Sequence, residues 1–227
     1  MKSILDKEKA WVDDEYAWLN ASYTGPLPAD PWMIAEAAGS FRPTKYPTVE
    51  QVLDDLCRIL EIERTLVTHE YLDDLPDRQP APSSLTVQHG PDGLQVFVLG
   101  LAESTRTHVV QVLKKCILWM VDVRLRLSNV MLPEDGEARM QWAELAAIFF
   151  GFGPIMAQRR FETVRMAVGR WTETITYHSY LPSAVFAYAL LVHQKHHGID
   201  SAMLLKPLPS EVRYDVKQAI ADRSSAP

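Results

Sequence analysis

The longest helical pattern of the chain occupies residues 105–158, which read TRTHVVQVLKKCILWMVDVRLRLSNVMLPEDGEARMQWAELAAIFFGFGPIMAQ. Apolar residues recur in its first half at helical spacing, which predicts a long helix with one polar face. A short acidic loop follows, and residues 143–150 are then apolar except for one carboxylate, Glu144. Because a lone buried acid is costly unless it is paired, we expect Glu144 to have a specific partner.

The residues before this pattern predict two further helices. Trp11 and Trp18 lie seven residues apart within 3–20, which indicates an amphipathic helix whose aromatic stripe faces the core. Thr48 begins a capping-box pattern, which predicts the start of a second helix. The five prolines of residues 24–47 predict an extended connection between the two helices.

Strand-like segments lie between the second helix and the long helical pattern. Residues 65–72 are rich in β-forming side chains. Residues 85–89 and 94–98 flank Gly-Pro-Asp-Gly, a turn sequence that predicts a hairpin. Because these strands precede a run of helices, their order favours an α+β fold over alternating parallel units.

The residues after 158 predict a short strand and two helices. Residues 171–177 alternate like a strand. The first helix begins near Pro182 and stops at Gly198, and the second covers 210–222.

The composition is compatible with one substantial hydrophobic core, because the chain has 227 residues and is 47% hydrophobic. We therefore expect a mostly helical single α+β domain with a small antiparallel sheet. Residues 1–104 would contribute N-terminal helices and the sheet, and residues 105–222 the helical core. Residues 223–227 would form a frayed tail.

The charge and the cysteines narrow the classes of function. A net charge of −6 opposes non-specific binding to nucleic acid or to an anionic membrane, since both need a broad basic surface. Cys57 and Cys116 lie in apolar helical patterns, which indicates reduced thiols and a cytoplasmic protein. We expect no signal sequence, no membrane-spanning segment and no cofactor.

Several short segments match a known pattern in order and context: 11–19 (WVDDEYAWL), 109–113 (VVQVL), 143–145 (AEL), 150–153 (FGFG), 179–182 (SYLP) and 186–190 (FAYAL). In these segments the chain resembles a bacterial family of zinc-metallopeptidase-like proteins. There, a tryptophan-containing helix and a small sheet precede an H-E-x-x-H helix, and a later helix carries an acidic third ligand followed by G-x-G. The resemblance covers most of the chain and implies a zincin-like fold.

In this chain, the residues that correspond to the metal-binding helix of that family differ from the H-E-x-x-H pattern. In H-E-x-x-H, two histidines one turn apart bind zinc and the glutamate activates the bound water. The corresponding residues 115–119 read KCILW, so Lys115 and Trp119 stand at the histidine positions. Lys115 opposes cation binding, and Glu144 alone cannot hold a catalytic zinc ion. The resemblance therefore implies a pseudoenzyme with no catalytic residues and no metal, in which Lys115, Trp119 and Glu144 form a degenerate site.

Two kinds of partner for Glu144 are compatible with the sequence. In the first, the ammonium of Lys115 replaces the lost metal and Trp119 fills the former substrate cleft. In the second, Lys115 is solvated and Glu144 pairs with an arginine such as Arg139 or Arg165.

Histidines provide two weaker candidates for a metal site. His193 and His197 lie one turn apart near His196, so this cluster could share a metal ion. The plainer interpretation is surface imidazoles near the negative end of a helix dipole. Residues 69–73 read HEYLD, but in a strand the first and fifth side chains do not share a helical face, which indicates a chance match.

Four arginines follow the Glu144 helix: Arg159, Arg160, Arg165 and Arg170. They are candidates for binding an acidic partner protein. A solvated charged face is the more common role of such a run.

Taken with the resemblance, these residues predict a catalytically inactive metallopeptidase-like protein that acts through protein–protein contacts, for instance as an immunity or regulatory partner in a bacterium. The alternative is a hydrolase with a non-standard metal site at His193, His196 and His197. A structural subunit of a larger assembly is a third interpretation. A protein partner is expected, and the sequence leaves its identity and the oligomeric state open.

Overall fold

A computed structural model describes residues 4–28, 48–74, 83–89, 93–107, 109–134, 136–158, 160–168, 170–177 and 179–224. In chain order the α-helices are α1 (Asp6–Ser22), α2 (Val49–Ile59), α3 (Val109–Leu127), α4 (Gly136–Phe149), α5 (Gly153–Met156), α6 (Ser183–His197), α7 (Ser201–Leu205) and α8 (Ser210–Ser224). The strands are β1 (Val67–Leu72), β2 (Ser84–His89), β3 (Gln95–Ala102), β4 (Phe161–Val168) and β5 (Arg170–Tyr177). Short 3-10 helices lie at Arg64–Leu66 and Glu103–Thr107.

Three predicted features fall partly or wholly outside this description. They are most of the connection at residues 24–47, the hairpin turn at residues 90–92 and the last residues of the tail, 225–227. Elsewhere helices predominate beside a small sheet, so the predicted α+β class is confirmed.

The three-stranded sheet has the order β1-β3-β2. β2 and β3 are antiparallel, with Leu85 opposite Leu99, which confirms the predicted hairpin. β1 pairs with β3 in parallel, with Val67 opposite Phe97, so the prediction of a purely antiparallel sheet is wrong. Composition marks which segments form strands, but the neighbour of each strand depends on how the connecting chain crosses the sheet.

One compact unit of the described chain comprises residues 23–28 and 48–132. Here α3 packs against α2 and β3. At the start of α2, the backbone N–H of Gln51 donates to Thr48 Oγ1 at 3.3 Å, as the capping pattern predicts. Buried apolar side chains from all three elements form the core, among them Leu53, Leu56, Phe97, Leu99 and Ile117. Each stabilises the unit by roughly 1.5–3 kcal/mol on burial.

The other compact unit comprises residues 4–22 and 133–224 of the described chain. Its centre is α6, which packs against α1, α4 and α8. The predicted helices at Pro182–Gly198 and 210–222 are confirmed as α6 and α8, and Gly198 ends α6 with a φ of 61°. The predicted strand is confirmed as β5, and the structure adds β4 as its antiparallel partner.

The core-facing side of α1 differs from the prediction. Val12, Tyr16 and Leu19 are fully buried, whereas Trp18 is 38% exposed and Trp11 is half-buried. The aromatic stripe therefore lies beside the buried face rather than on it. Two residues that recur every seventh position share a side of a helix, but this spacing alone does not tell which side meets the core.

The boundaries of the two compact units do not coincide with residue 104, where the sequence analysis divided the domain. α1 groups with the elements after residue 132, and α3 groups with the small sheet. In the described residues, no helix is long and apolar enough to cross a membrane.

Candidate functional site

Glu144 and Arg160 form a buried ion pair, with Arg160 Nη1 donating to Glu144 Oε1 at 3.0 Å. Glu144 is fully buried in α4, and Arg160 is 2% exposed just before β4. The Arg160 guanidinium also lies 3.9 Å from the ring centroid of Phe186 on α6. Burial lowers the pKa of Arg160, and the carboxylate of Glu144 opposes that effect.

The loop before α6 completes the hydrogen bonding of the Glu144 carboxylate. Ser179 Oγ donates at 2.8 Å to Oε1, and the backbone N–H groups of Tyr180 and Leu181 donate to Oε2 at 2.7 and 2.8 Å. Arg160 Nη2 in turn donates to the carbonyl of Leu181. A carboxylate has about four acceptor positions, and here all of them are occupied by the fold itself.

Pairing of Lys115 with Glu144, the first alternative for this site, stays a prediction. The cation found at Glu144 is an arginine, as in the second alternative, but it is Arg160, which that alternative did not name. The physical reason is the reversal after α4: Gly151 has a φ of 89° and ends the helix, so the chain turns back toward Glu144.

Arg160 was predicted to bind a partner protein together with three other arginines. This prediction is wrong for Arg160, because its side chain is buried and pairs with Glu144. Arg159 lies outside the described residues. Arg165 and Arg170 lie in β4 and β5, in positions whose side chains are also outside the description. Binding of an acidic partner by these three arginines stays a prediction.

Lys115 and Trp119, the remaining residues of the predicted degenerate site, lie in α3. Lys115 is half-buried, and burial lowers its pKa. Its neighbour Cys116 is fully buried, which raises the pKa of that thiol to about 12. Trp119 is 6% exposed, so its indole belongs largely to the interior. Filling of a former substrate cleft by Trp119 stays a prediction.

A pocket of about 280 Å³ opens beside the loop that Glu144 and Arg160 hold. Its apolar wall is formed by Trp11, Leu181, Pro182 and Val185, and its polar lining by Lys7, Glu8 and Gln141. The backbone of Leu181 is bonded on both sides to the buried ion pair. One wall of the pocket is therefore preorganised by the Glu144 network.

Three tryptophans lie next to one another at this pocket. Trp142 on α4 stands edge-on to Trp11, with ring centroids 6.4 Å apart, and to Trp18, with centroids 5.0 Å apart. Edge-to-face pairs of this kind are stabilising beyond the area that they bury. The indoles thus form a partly exposed aromatic surface that continues the pocket along α1.

One residue of the histidine cluster, His193, is part of the interior. His193 is 2% exposed, and its Nδ1 lies 3.0 Å from the hydroxyl of Tyr16. Its ring is stacked on that of His197, with centroids 4.3 Å apart and an angle of 37° between planes. Burial lowers the pKa of His193 to about 3, with His197 and His196 contributing.

This geometry does not suit the metal site considered for the three histidines. The Nδ1 of His193 already contacts the Tyr16 hydroxyl, and its ring is tilted by 37° to that of His197. In the part of the chain that the structure describes, no group of three or more His, Cys, Asp or Glu side chains could hold a metal ion. The description of all three as surface imidazoles is also wrong for His193, which is buried, while His196 and His197 are exposed.

The HEYLD string lies in β1, as its composition predicts. His69 Nε2 is 3.4 Å from Glu50 Oε1, and its ring stands edge-on to that of Tyr71. The string therefore contributes a contact with the Glu50 carboxylate and a ring contact.

The family models, the curated proteins and the solved structures contain no match to this chain.

Sequence reasoning missed Arg160, Ser179 and Trp142 as members of this region. Arg160 was one of four candidate arginines, and no feature of the sequence singled it out as the partner of Glu144. The Ser179–Leu181 loop had no motif of its own, because two of its three contributions come from backbone N–H groups. Trp142 lies two residues before Glu144, which could have drawn attention to it. Its ring contacts, however, are with α1, which is distant in the sequence.

Proposed function

We propose that this chain is a catalytically inactive protein that acts by binding another protein. The observation that carries the proposal is the saturation of Glu144. The residue that the metallopeptidase resemblance leaves as the last acidic ligand already accepts hydrogen bonds from Arg160, Ser179 and two backbone N–H groups. Such a carboxylate is unsuited to act as a metal ligand or as a general base.

The other ionisable groups in the interior support the same proposal. Burial lowers the pKa of His193 to about 3, which favours its neutral form, and its Nδ1 contacts the hydroxyl of Tyr16. The pKa of Cys116 is raised to about 12, so the thiolate that nucleophilic chemistry needs is scarce at neutral pH. By contrast, the partly exposed tryptophans and the pocket are features typical of recognition surfaces.

The metallopeptidase relationship and a role as an immunity or regulatory partner are the finer parts of this proposal. They rest on the resemblance described above, in which residues 115–119 replace the zinc motif. An inactive relative keeps the shape of its fold and is free to use that shape for binding.

Metal content and peptide hydrolysis test the proposal. Purified chain is incubated with zinc, dialysed and measured by inductively coupled plasma mass spectrometry, and its hydrolysis of a fluorogenic peptide mixture is followed. We expect zinc far below one ion per chain and no hydrolysis above the buffer rate. Stoichiometric zinc together with hydrolysis that a chelator abolishes would overturn the proposal.

A conservative variant separates contamination from intrinsic activity. Glu144→Gln removes the charge of the buried carboxylate and leaves its size unchanged. Any hydrolysis that persists undiminished in this variant belongs to another site or to another protein. Circular dichroism at the assay temperature verifies that the variant is folded.

A further inference from the structure

One side of α1 combines aromatic rings with carboxylates. Trp11, Asp14, Glu15 and Trp18 follow one another at the i, i+3, i+4 and i+7 positions, so they form a continuous stripe. Trp142 of α4 stands edge-on to both tryptophans of the stripe. We call these five residues the tryptophan–acid face.

The two carboxylates of this face have no cation of their own in the described chain. Asp13, the neighbouring acid, accepts a hydrogen bond from the Tyr188 hydroxyl at 2.9 Å, and Asp6 pairs with Lys9 at 3.7 Å. Within the described residues, neither Asp14 nor Glu15 forms an ion pair. Partial burial and repulsion by Asp14 raise the pKa of Glu15, as expected for a carboxylate that lacks a counter-charge.

The chemistry of the face selects a cation with a flat apolar surface. A guanidinium stacks on indole rings and donates two parallel hydrogen bonds to carboxylates, whereas an ammonium is a compact and strongly hydrated charge. A purely apolar ligand would cover Asp14 and Glu15 without pairing them, which costs free energy. A nucleic acid or an anionic lipid would be repelled by the same two charges.

The pocket next to Trp11 adds a second element of recognition. From α1 it is lined by Lys7, Glu8 and Trp11, and its deeper wall is the apolar surface of Leu181 and Val185. The middle of the α1 lining and the carboxylates are about 8 Å apart along the helix axis, at roughly 1.5 Å per residue. An extended peptide covers that distance in about two or three residues.

We propose that the tryptophan–acid face docks an arginine-bearing segment of a partner protein, whose apolar side chain two or three residues away is seated in the adjoining pocket. The inference rests on the proposed function and specifies the surface and the chemistry of the partner. In this arrangement the guanidinium pairs with Asp14 and Glu15 and stacks on Trp18. The opposite charges of Lys7 and Glu8 balance at the pocket, so the unpaired negative charge lies at Asp14 and Glu15, where the arginine docks.

Selection from a phage-displayed library of random twelve-residue peptides, on the immobilised full chain, tests this inference. Selected peptides are synthesised, and their dissociation constants are measured by fluorescence anisotropy at two salt concentrations. We expect arginine to be enriched at two or three residues from a large apolar residue. Replacing that arginine by lysine is expected to weaken binding about threefold or more, and scrambling the peptide about tenfold or more.

Paired variants of the chain locate the binding surface. The double variant Asp14→Asn, Glu15→Gln and the single variant Trp18→Ala are each expected to weaken binding about tenfold or more. The matched control is Glu70→Gln, Asp73→Asn, which changes the net charge equally at exposed positions of the other unit. The control is expected to bind like the parent chain, and circular dichroism verifies the fold of each variant.

The outcomes separate this inference from the proposed function. Selected peptides that bind equally to the parent and to the Asp14/Glu15 variant would overturn the inference and leave the proposed function standing, as would the recovery of no binding peptide. A dimer of the chain that Trp18→Ala dissociates would also overturn it, because the face would then serve a second copy. Zinc-dependent hydrolysis would instead overturn the proposed function.

Discussion

Glu144 and Arg160 are sixteen residues apart in the chain and 3.0 Å apart in the fold, where they join α4 to the loop before α6. The pair is buried almost completely, and the Glu144 carboxylate also accepts from Ser179 and from the backbone N–H groups of Tyr180 and Leu181. Among the described residues, the Nε of Arg160 is buried without a hydrogen-bond partner. A buried ion pair adds little to the net stability of a fold, because desolvation offsets much of the attraction. Removing only one residue of the pair, however, leaves the other as a buried charge without a partner.

The first prediction concerns the loss of one residue of the buried pair. Glu144→Gln is expected to lower the free energy of unfolding by about 3–5 kcal/mol, because the Arg160 guanidinium remains buried and unpaired. Urea denaturation followed by circular dichroism measures the loss. Asp55→Asn, at the exposed Asp55–Arg58 pair, is the control and is expected to cost less than about 1 kcal/mol.

Adding Arg160→Met to Glu144→Gln tests whether the two residues act as a pair. The double variant is expected to be more stable than the sum of the two single changes predicts, since it leaves neither charge alone. Additive losses would contradict a direct interaction of Glu144 with Arg160.

The second prediction concerns the response of stability to acid. In the fold the pKa of His193 is lowered to about 3, whereas in the unfolded chain it has its ordinary value of 6.5. Below pH 6.5, His193 is therefore protonated in the unfolded chain but stays neutral in the folded chain. The free energy of unfolding then decreases as the pH falls toward 3. At pH 5 this histidine alone is expected to cost roughly 2 kcal/mol relative to pH 7.5.

His193→Gln is expected to flatten this dependence, since glutamine does not titrate and can still bond to the Tyr16 hydroxyl. Thermal unfolding between pH 7.5 and pH 5 measures the difference. His89→Gln, at an exposed position of β2, is expected to keep the slope of the parent chain. Equal slopes for the His193 variant and the parent would refute a buried neutral imidazole.

The third prediction concerns the reactivity of the thiols. Cys57 and Cys116 are free and buried, and burial raises the pKa of both, to about 12 for Cys116. We expect the native chain to react with Ellman's reagent at pH 8 at least about a hundredfold more slowly than the urea-unfolded chain, because thiolate and access are both lacking. Cys57→Ala and Cys116→Ala isolate each thiol in turn. Rapid labelling of native Cys116 would show that α3 opens readily.

The fourth prediction concerns the centre of the small sheet. A Cβ on Gly100 of β3 would lie 2.8 Å from Leu72 Cδ1 and would also meet the hydroxyl of Ser84. Gly100→Ala is therefore expected to destabilise the chain by about 1–3 kcal/mol. Gly136→Ala is the matched control, because nothing lies within 4 Å of a Cβ there, and its effect is expected to be neutral or slightly stabilising. Chemical denaturation compares the two variants.

Local patterns in the chain were sufficient for most of the elements. The capping box at Thr48 marks the start of α2, the Gly-Pro-Asp-Gly turn marks the β2–β3 hairpin, and Gly198 marks the end of α6. Each of these signals acts over a few residues, through a cap, a turn conformation or a left-handed backbone. The unusual burial of Glu144 was likewise readable from its apolar neighbours alone.

The partners that residues have across the fold required the tertiary structure. Arg160 is the arginine that pairs with Glu144, β1 joins β3 in parallel, and Trp18 lies at the surface while Tyr16 is buried. Arginines have the same chemistry wherever they lie in the chain, and strands of similar composition can pair in either direction. The path of the connecting chain therefore selects one arrangement. That path is set by the simultaneous burial of many side chains, an energy that no short window of residues contains.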